Sequence, residues 1–165
     1  MNFEVSEKEQ KSARIPHTVF VLNVLFFNLL MTPAAIVLDV GAYGFLMPLF
    51  CSLSVITYIY IRSNRKTNWF VDMHWRLSFR RCLLLMAGYG VTALLVAMAW
   101  LISLSASDAR MGEIMFTAIS RVAVVPTLLA VMATIVLEAG GHHLINSGTV
   151  PDWLVNKFPP PDAQK

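Results

Sequence analysis

The sequence predicts an all-α integral membrane protein with four transmembrane helices and a basic cytoplasmic segment between helices 2 and 3. Of its 165 residues, 56% are hydrophobic and 14% are charged, whereas soluble domains carry about 25% charged residues. The hydrophobic residues occur in four long blocks, as membrane-spanning segments do. Six of the thirteen Lys and Arg residues lie between two of these blocks, within residues 62–81.

The four blocks give the spans of the predicted membrane domain, residues 17–143. A helix of about 20 residues, rising 1.5 Å per residue, crosses a hydrocarbon layer of ~30 Å. The predicted spans are residues 17–38, 45–61, 82–104 and 114–137. Residues 1–16 form a polar cytoplasmic lead, and residues 144–165 form a Pro-rich cytoplasmic tail that we expect to be extended.

The first block contains two asparagines and is followed by a predicted turn. Asn23 and Asn28 would be costly in hydrocarbon without partners, so we expect both to face a neighbouring helix. Pro16 suits the first turn of this helix, where a missing N–H is harmless. Residues 39–44 contain two glycines and one acid, a composition that is typical of a turn.

Apolar and polar residues alternate in the basic segment from residue 69 to residue 80. Such alternation is normally a strand signal, but no second strand is evident to pair with it. We therefore favour a helix that leads into the third span, with strand as the alternative. Its apolar side chains would otherwise face water, so we predict that they pack on a neighbouring protein or in the lipid headgroup layer. These interaction residues are Trp69, Met73, Trp75, Leu77 and Phe79.

The fourth block contains an arginine, Arg121, about 10 Å inside the predicted span at 1.5 Å per residue. An arginine at that depth either extends its side chain to the interface or finds a partner inside the bundle. Pro126 predicts a kink that frees backbone carbonyls nearby. We expect Arg121 to face protein and to pair with these carbonyls or with Asp39.

The distribution of basic residues predicts the topology. Eleven of the thirteen Lys and Arg residues lie in the lead, in the segment between helices 2 and 3, and in the tail. Loops rich in Lys and Arg remain cytoplasmic. We therefore expect a multi-pass protein of the bacterial inner membrane with both termini in the cytoplasm. Anionic lipid headgroups are expected partners of the basic segment, and no nucleic-acid binding is expected.

No motif in the sequence identifies an enzyme. Cys51 and Cys82 form no CxxC pair, so neither a redox motif nor a zinc motif is present. All four histidines fall at or beside the cytoplasmic ends of spans, as haem or metal ligands at one depth would. None lies deep within a span, so we expect no metal and no cofactor. These histidines are His17, His74, His142 and His143.

Two functional hypotheses follow from this combination of features. The first is a non-catalytic subunit of a larger inner-membrane complex, such as a secretion, conjugation or respiratory machine, which serves as a scaffold or anchor for other membrane-protein subunits. The alternative is a small-ligand membrane protein: a transporter, a quinone or haem protein, or a lipid enzyme. That alternative would be built around Arg121, Asn23 and Asn28.

Overall fold

The computed structural model describes residues 3–38 and 46–161, with only the backbone for residues 35–37. Every regular element within these ranges is helical, so the prediction of an all-helical chain is confirmed there. The elements are α1 (Glu7–Asn23), a π-helical segment (Val24–Met31), α2 (Thr32–Val37), α3 (Leu46–Ser63), α4 (Trp69–Ser103), α5 (Ala109–Ala123), α6 (Val125–Asn146) and α7 (Asp152–Lys157).

Four helical stretches in the described part of the chain are long and apolar enough to cross a membrane, which confirms the predicted number. They contain 28, 18, 35 and 38 residues and cover Glu7–Ala34, Leu46–Ser63, Trp69–Ser103 and Ala109–Asn146. These properties fit a multi-pass membrane protein. The turn predicted at residues 39–44 lies outside the described residues.

The first helix begins earlier than predicted because a capping box starts it. The side chain of Ser6 accepts a hydrogen bond from the backbone N–H of Glu9, and the carboxylate of Glu9 accepts one from the backbone N–H of Ser6. These two bonds satisfy N–H groups that have no partner within the helix. Pro16 therefore lies inside α1 and not in its first turn, which corrects the prediction.

An eight-residue π-helical segment follows α1 directly. Two side chains donate to carbonyls five residues earlier in the chain. Thr32 Oγ1 donates to the carbonyl of Phe27 at 2.8 Å, and Asn28 Nδ2 donates to the carbonyl of Asn23 at 3.4 Å. The widened helix leaves these carbonyls accessible, and π segments of this kind are often found at functional sites.

The alternating segment is the start of α4, so the helical prediction for residues 69–80 is confirmed and the strand alternative is wrong. Asn68 caps the helix by accepting hydrogen bonds from the backbone N–H groups of Phe70 and Val71, at 3.0 and 3.3 Å. At 1.5 Å per residue, this 35-residue helix is about 52 Å long. It is therefore longer than a span of the ~30 Å hydrocarbon layer requires.

The chain divides into two compact units, unit 1 (Met1–Cys82 with Ile135–Lys165) and unit 2 (Leu83–Thr134). Unit 1 contains a core of buried apolar side chains from α1, the start of α4, the end of α6 and α7. The fully or nearly fully buried members of this core are Ala13, Phe70, Met73, Leu77, Ile145, Val150, Leu154 and Val155.

The structure corrects two predictions about the end of the chain. The predicted end of the fourth span is residue 137, whereas α6 continues through the two glycines 140 and 141 to Asn146. The tail is not an extended stretch throughout, because Gly148, at φ +61°, turns it back toward the core. The carbonyl of Gly148 then accepts a hydrogen bond from the backbone N–H of Phe3 at 2.9 Å, and α7 buries Leu154 and Val155.

Small side chains bring α4 and α6 close together in unit 2. A Cβ atom added to Gly88 would lie 2.6 Å from the Cβ of Ala130, so the missing side chain of Gly88 is what allows this close approach. The hydroxyls of Thr92 and Thr127 are hydrogen-bonded at 2.8 Å. α5 ends at Ala123 and α6 begins at Val125, so the helix is interrupted just before the proline that predicted a kink.

Candidate functional site

Four ionisable side chains from three helices meet inside unit 1. His17 comes from α1, His74 and Arg81 come from α4, and Glu138 comes from α6. Their exposed fractions are 0% for His17, 1% for His74, 8% for Arg81 and 1% for Glu138. Ionisable groups this deeply buried in a membrane protein pair with one another, and they are functional candidates by default.

Two cationic or hydrogen-bond-donating groups converge on one oxygen of Glu138. His17 Nδ1 lies 2.5 Å from Glu138 Oε2, and Arg81 Nη1 lies 3.0 Å from the same oxygen. Arg81 Nη1 also lies 3.2 Å from His17 Nδ1, and the guanidinium can only donate. We assign the proton to Nδ1 because its contact with the carboxylate, which only accepts, is much the shorter of the two. The other nitrogen of His17, Nε2, is then available to a second partner.

That second partner is His74. His17 Nε2 lies 3.1 Å from His74 Nδ1, with the two rings edge to face. Glu138, His17 and His74 therefore form one continuous hydrogen-bonded chain, which we call the relay. Among the described residues, no side chain or backbone group pairs with the two terminal atoms of the relay, Glu138 Oε1 and His74 Nε2, although both are buried.

The spacing of residues on α4 brings the required side chains to one face. His74, Ser78 and Arg81 are four and then three residues apart, so they lie along one stripe of the helix. Ser78 Oγ donates to the carbonyl of Pro16 at 3.2 Å, which fastens this stripe to α1. The same contact places Arg81 and His74 on either side of His17.

The fit of α6 against the relay depends on one glycine. A Cβ atom at Gly141 would lie 2.7 Å from both Arg81 Nη1 and His17 Nδ1, closer than real Cβ contacts. The neighbouring Gly140 has nothing within 4 Å of its Cβ position. Only Gly141 is therefore required for the approach of Glu138 to its two partners.

The relay can bind a proton and move it between defined atoms. A proton that arrives at His74 Nε2 allows the Nδ1 proton of the same ring to pass to His17 Nε2. The His17 imidazolium can then give its Nδ1 proton to Glu138, which becomes neutral.

The geometry does not suit a metal ion. Over the described part of the chain, no group of three or more His, Cys, Asp or Glu side chains is placed to hold one. The nitrogens of His17 already contact Glu138 and His74, so a metal would have to displace both contacts.

Of the two predicted asparagines, Asn23 lines an apolar groove on the π-helical segment. Asn23 is 1% exposed, which agrees with an inward position, and its amide has no partner in the described structure. Asn28 is half-buried and bonds to the backbone. The groove encloses about 600 Å³ and is lined by Val19, Leu22, Asn23, Phe26, Phe27, Leu30, Met31, Ala34 and Val55.

The interaction residues predicted on α4 lie against the chain's own side chains. Met73 and Trp75 are each 2% exposed and Leu77 is 6% exposed. Trp69 packs on Phe3, Trp75 lies edge-on to Tyr58, and Phe79 packs on Tyr60. Intramolecular packing therefore explains the apolar stripe that motivated the prediction, and a role in binding a partner stays a prediction.

Arg121 lies at an exposed position near the end of α5. The chain itself therefore does not bury this side chain, which differs from the expectation that it faces protein within the bundle. Its proposed partner Asp39 lies outside the described residues. A contact between Arg121 and another subunit stays a prediction.

The histidines are evident from the sequence, but the relay is not. His17 and His74 fall at the cytoplasmic ends of predicted spans, Arg81 is one of the six basic residues within 62–81, and no motif singles out Glu138. The missed signal is that Glu138 immediately follows a 22-residue stretch (116–137) with a single charged residue, Arg121. An acid there faces the same depth as His17, which starts the first span.

No protein-family model, curated protein or solved structure matches this chain.

Proposed function

We propose that this chain is a small integral membrane subunit that transfers protons through the relay of Glu138, His17 and His74. The proposal belongs to the small-ligand class, with the proton as the ligand. The observation that carries it is the continuous buried chain of hydrogen bonds with an unpartnered, proton-accepting atom at each end.

The chemistry of the chain favours transfer over a purely structural role. A polar group retained only to join helices gains most when all its hydrogen bonds are satisfied. Here Glu138 Oε1 and His74 Nε2 carry the cost of burial without a partner among the described residues. Such open ends are where a transferred proton or an ordered water would bind. Asn23 on α1 and Ser52 on α3 are further buried polar residues of unit 1.

The location and orientation form part of the same proposal. The eleven cytoplasmic Lys and Arg residues favour an inner-membrane protein with both termini in the cytoplasm, and exposed Arg65 and Lys66 would contact anionic headgroups. In intact cells, a cysteine introduced at residue 107 should react with an external impermeant thiol reagent, whereas one at residue 65 should not. Reaction at residue 65 would reverse the orientation.

The scaffold hypothesis is the second candidate, and large exposed apolar side chains in unit 2 favour it. Leu129 is 65% exposed and Val122 is 68% exposed, so these faces have to be covered by lipid or by other membrane subunits. In this case the relay would serve only to hold α1, α4 and α6 together. The chain would then copurify with a stoichiometric partner and would move no protons.

Proton movement into liposomes that contain the purified full chain separates the two candidates. A potassium diffusion potential drives protons inward, and a pH-sensitive dye inside reports them. We expect the wild-type chain to acidify the lumen faster than protein-free liposomes do. His74→Gln and Glu138→Gln should abolish the difference, because each removes a proton-accepting atom of the relay.

His143→Gln provides the matched control. His143 lies on α6, as Glu138 does, but it is exposed, so its replacement should leave the rate unchanged. All variants should first be shown to elute as the wild type does in detergent. A wild-type rate equal to that of empty liposomes rejects proton transfer and leaves the scaffold hypothesis.

A further inference from the structure

The C-terminal segment 148–158 covers the first two turns of α4. Leu154 is 1% exposed and Val155 is 5% exposed, and both belong to one apolar cluster with Phe70 and Met73. Three buried residues of the segment, counting Val150, thus cover the face of α4 from which His74 also projects.

Further contacts lie at both ends of the segment. At its start, the backbone N–H of Phe3 donates to the carbonyl of Gly148 at 2.9 Å. Trp69 Nε1 donates to the carbonyl of Phe158 at 3.0 Å. The guanidinium of Arg76 lies 3.8 Å from the ring centre of Phe158, and that of Arg80 lies 4.3 Å from the ring of Trp153. Interactions of this kind are individually weak at partly exposed sites, so the segment can detach without breaking a transmembrane helix.

Phe70 connects the segment to the relay. Its ring lies 4.7 Å from the ring of His74, edge to face, and its side chain is packed in the same cluster as Leu154. Phe70 therefore contacts both the covering segment and the terminal imidazole. His74 Nε2, the open end of the relay, is buried on a helix that this segment covers.

We propose that the segment 148–158 is a cap that closes the His74 end of the relay, with Gly148 as its hinge. The inference rests on the proposed function for its biological meaning, but the covering itself is independent of proton transfer. Gly148 is suited to the hinge because its positive φ is accessible without strain only to glycine. When the cap and Phe70 move away together, water reaches His74 Nε2 and the relay can exchange protons with the cytoplasm.

Chemical modification of His74 tests the cap. The full chain in detergent is treated with diethylpyrocarbonate, which modifies accessible imidazoles, and the modified peptides are quantified by mass spectrometry. In the wild type, exposed His143 should react and His74 should not. Leu154→Asp should raise modification of His74 by about tenfold or more, because the rate follows the population of the open state.

Two further variants make the test specific. Asn156→Asp introduces the same charge at an exposed position of α7 and should leave His74 protected. Phe158→Ala removes only the ring under Arg76 and should raise modification less than Leu154→Asp does. Buried Cys82 reports global opening, and it should stay unreactive toward a maleimide in every variant.

The proposal is overturned if His74 reacts as fast as His143 in the wild type, or if Asn156→Asp opens it equally. If Leu154→Asp also makes Cys82 reactive, the result for Phe158→Ala is used instead. Increased modification of His74 in Phe158→Ala, with Cys82 still unreactive, supports the cap, and unchanged modification of His74 rejects it. The failure of the proposed function is a separate result. Increased modification of His74 without proton movement in any liposome sample would leave the cap standing and reject proton transfer.

Discussion

Unit 1 and unit 2 hold their helices together by different chemistry. Unit 1 joins α1, α4 and α6 through an apolar core and, in addition, through a buried carboxylate, a guanidinium and two imidazoles. Unit 2 joins α4 and α6 through the close contact of Gly88 with Ala130 and one hydrogen bond between threonines. The second arrangement is the common solution for helices in lipid.

The difference teaches that the polar centre of unit 1 is not needed for helix association alone. A buried ion pair pays a large desolvation cost and is often no more stable than an apolar replacement. Unit 2 shows that this same chain can associate helices with small residues. The four buried ionisable groups of unit 1 are therefore the basis of the proposed proton transfer, and we expect substitutions in the two units to change stability by different amounts.

The largest effect is expected for Glu138→Leu. This substitution leaves Arg81 and His17 buried without their carboxylate partner. Removing one partner of a buried ion pair lowers the free energy of unfolding by about 3–5 kcal/mol. Thermal unfolding of the chain in detergent, followed by circular dichroism, should show a strongly lowered midpoint. Glu138→Gln should lower the midpoint less, because the oxygen of its side-chain amide still accepts a hydrogen bond. An unchanged midpoint for Glu138→Leu would show that Glu138 does not stabilise the unit.

A smaller effect is expected for Gly141→Ala, with Gly140→Ala as its matched control. The added methyl group at residue 141 would overlap Arg81 and His17. Overpacking of this kind should lower the free energy of unfolding by about 2–3 kcal/mol. At residue 140 the methyl group has open space, so stability should be unchanged or slightly higher. Equal midpoints for the two variants would contradict the close approach of α6 to the relay.

In unit 2, Gly88→Ala should lower the free energy of unfolding by about 1–2 kcal/mol, because the new methyl group would overlap Ala130 and force the two helices apart. The compensating variant Gly88→Ala with Ala130→Gly should recover most of the loss. Gly90→Ala should have little effect, since nothing lies within 4 Å of its Cβ position. Failure of the compensating variant would argue that another contact limits the approach.

Thr92→Val should lower the free energy of unfolding by about 0.6 kcal/mol, the average contribution of a hydrogen bond between helices in a membrane protein. The measurement is a double-mutant cycle with Thr127→Val, read from unfolding in detergent. A coupling energy several times larger would mean that unit 2 also depends on polar contacts.

The smallest effect is expected for Arg121→Leu. It should change the free energy of unfolding of the isolated chain by less than about 0.5 kcal/mol, because exposed positions tolerate substitution. The same unfolding measurement applies. A large loss would restore the sequence-based expectation that Arg121 pairs inside the bundle.

The number of helices was predictable because hydrophobicity and length act over whole blocks of sequence. The helical start of α4 was also predictable, since an unpaired strand leaves its backbone without partners. The start of α1 could have been found from Ser6 and Glu9, whose capping-box spacing lies in the polar lead. The fold of the tail could not be predicted from the sequence, because Leu154 and Val155 form too short an apolar stretch to indicate burial.

The relay was out of reach for a different reason. His17 and Glu138 are 121 positions apart, and their contact depends on how α1 and α6 pack, which periodicity does not specify. The interaction residues on α4 illustrate the converse problem. Trp75 and Leu77 are buried by the chain itself, and an apolar pattern in the sequence does not distinguish packing on another protein from packing on the chain's own α3 and α7.

The separation of His17 from Glu138 also has a consequence for biosynthesis. The ribosome delivers the helices in order, at about 5–20 residues per second, so α1 and α4 are complete before the acid of α6 exists. During that interval the guanidinium of Arg81 and Nδ1 of His17 lack the carboxylate that both contact in the finished chain. Only the synthesis of α6 supplies it, so the three-helix centre of unit 1 can close only after residue 138 has been made.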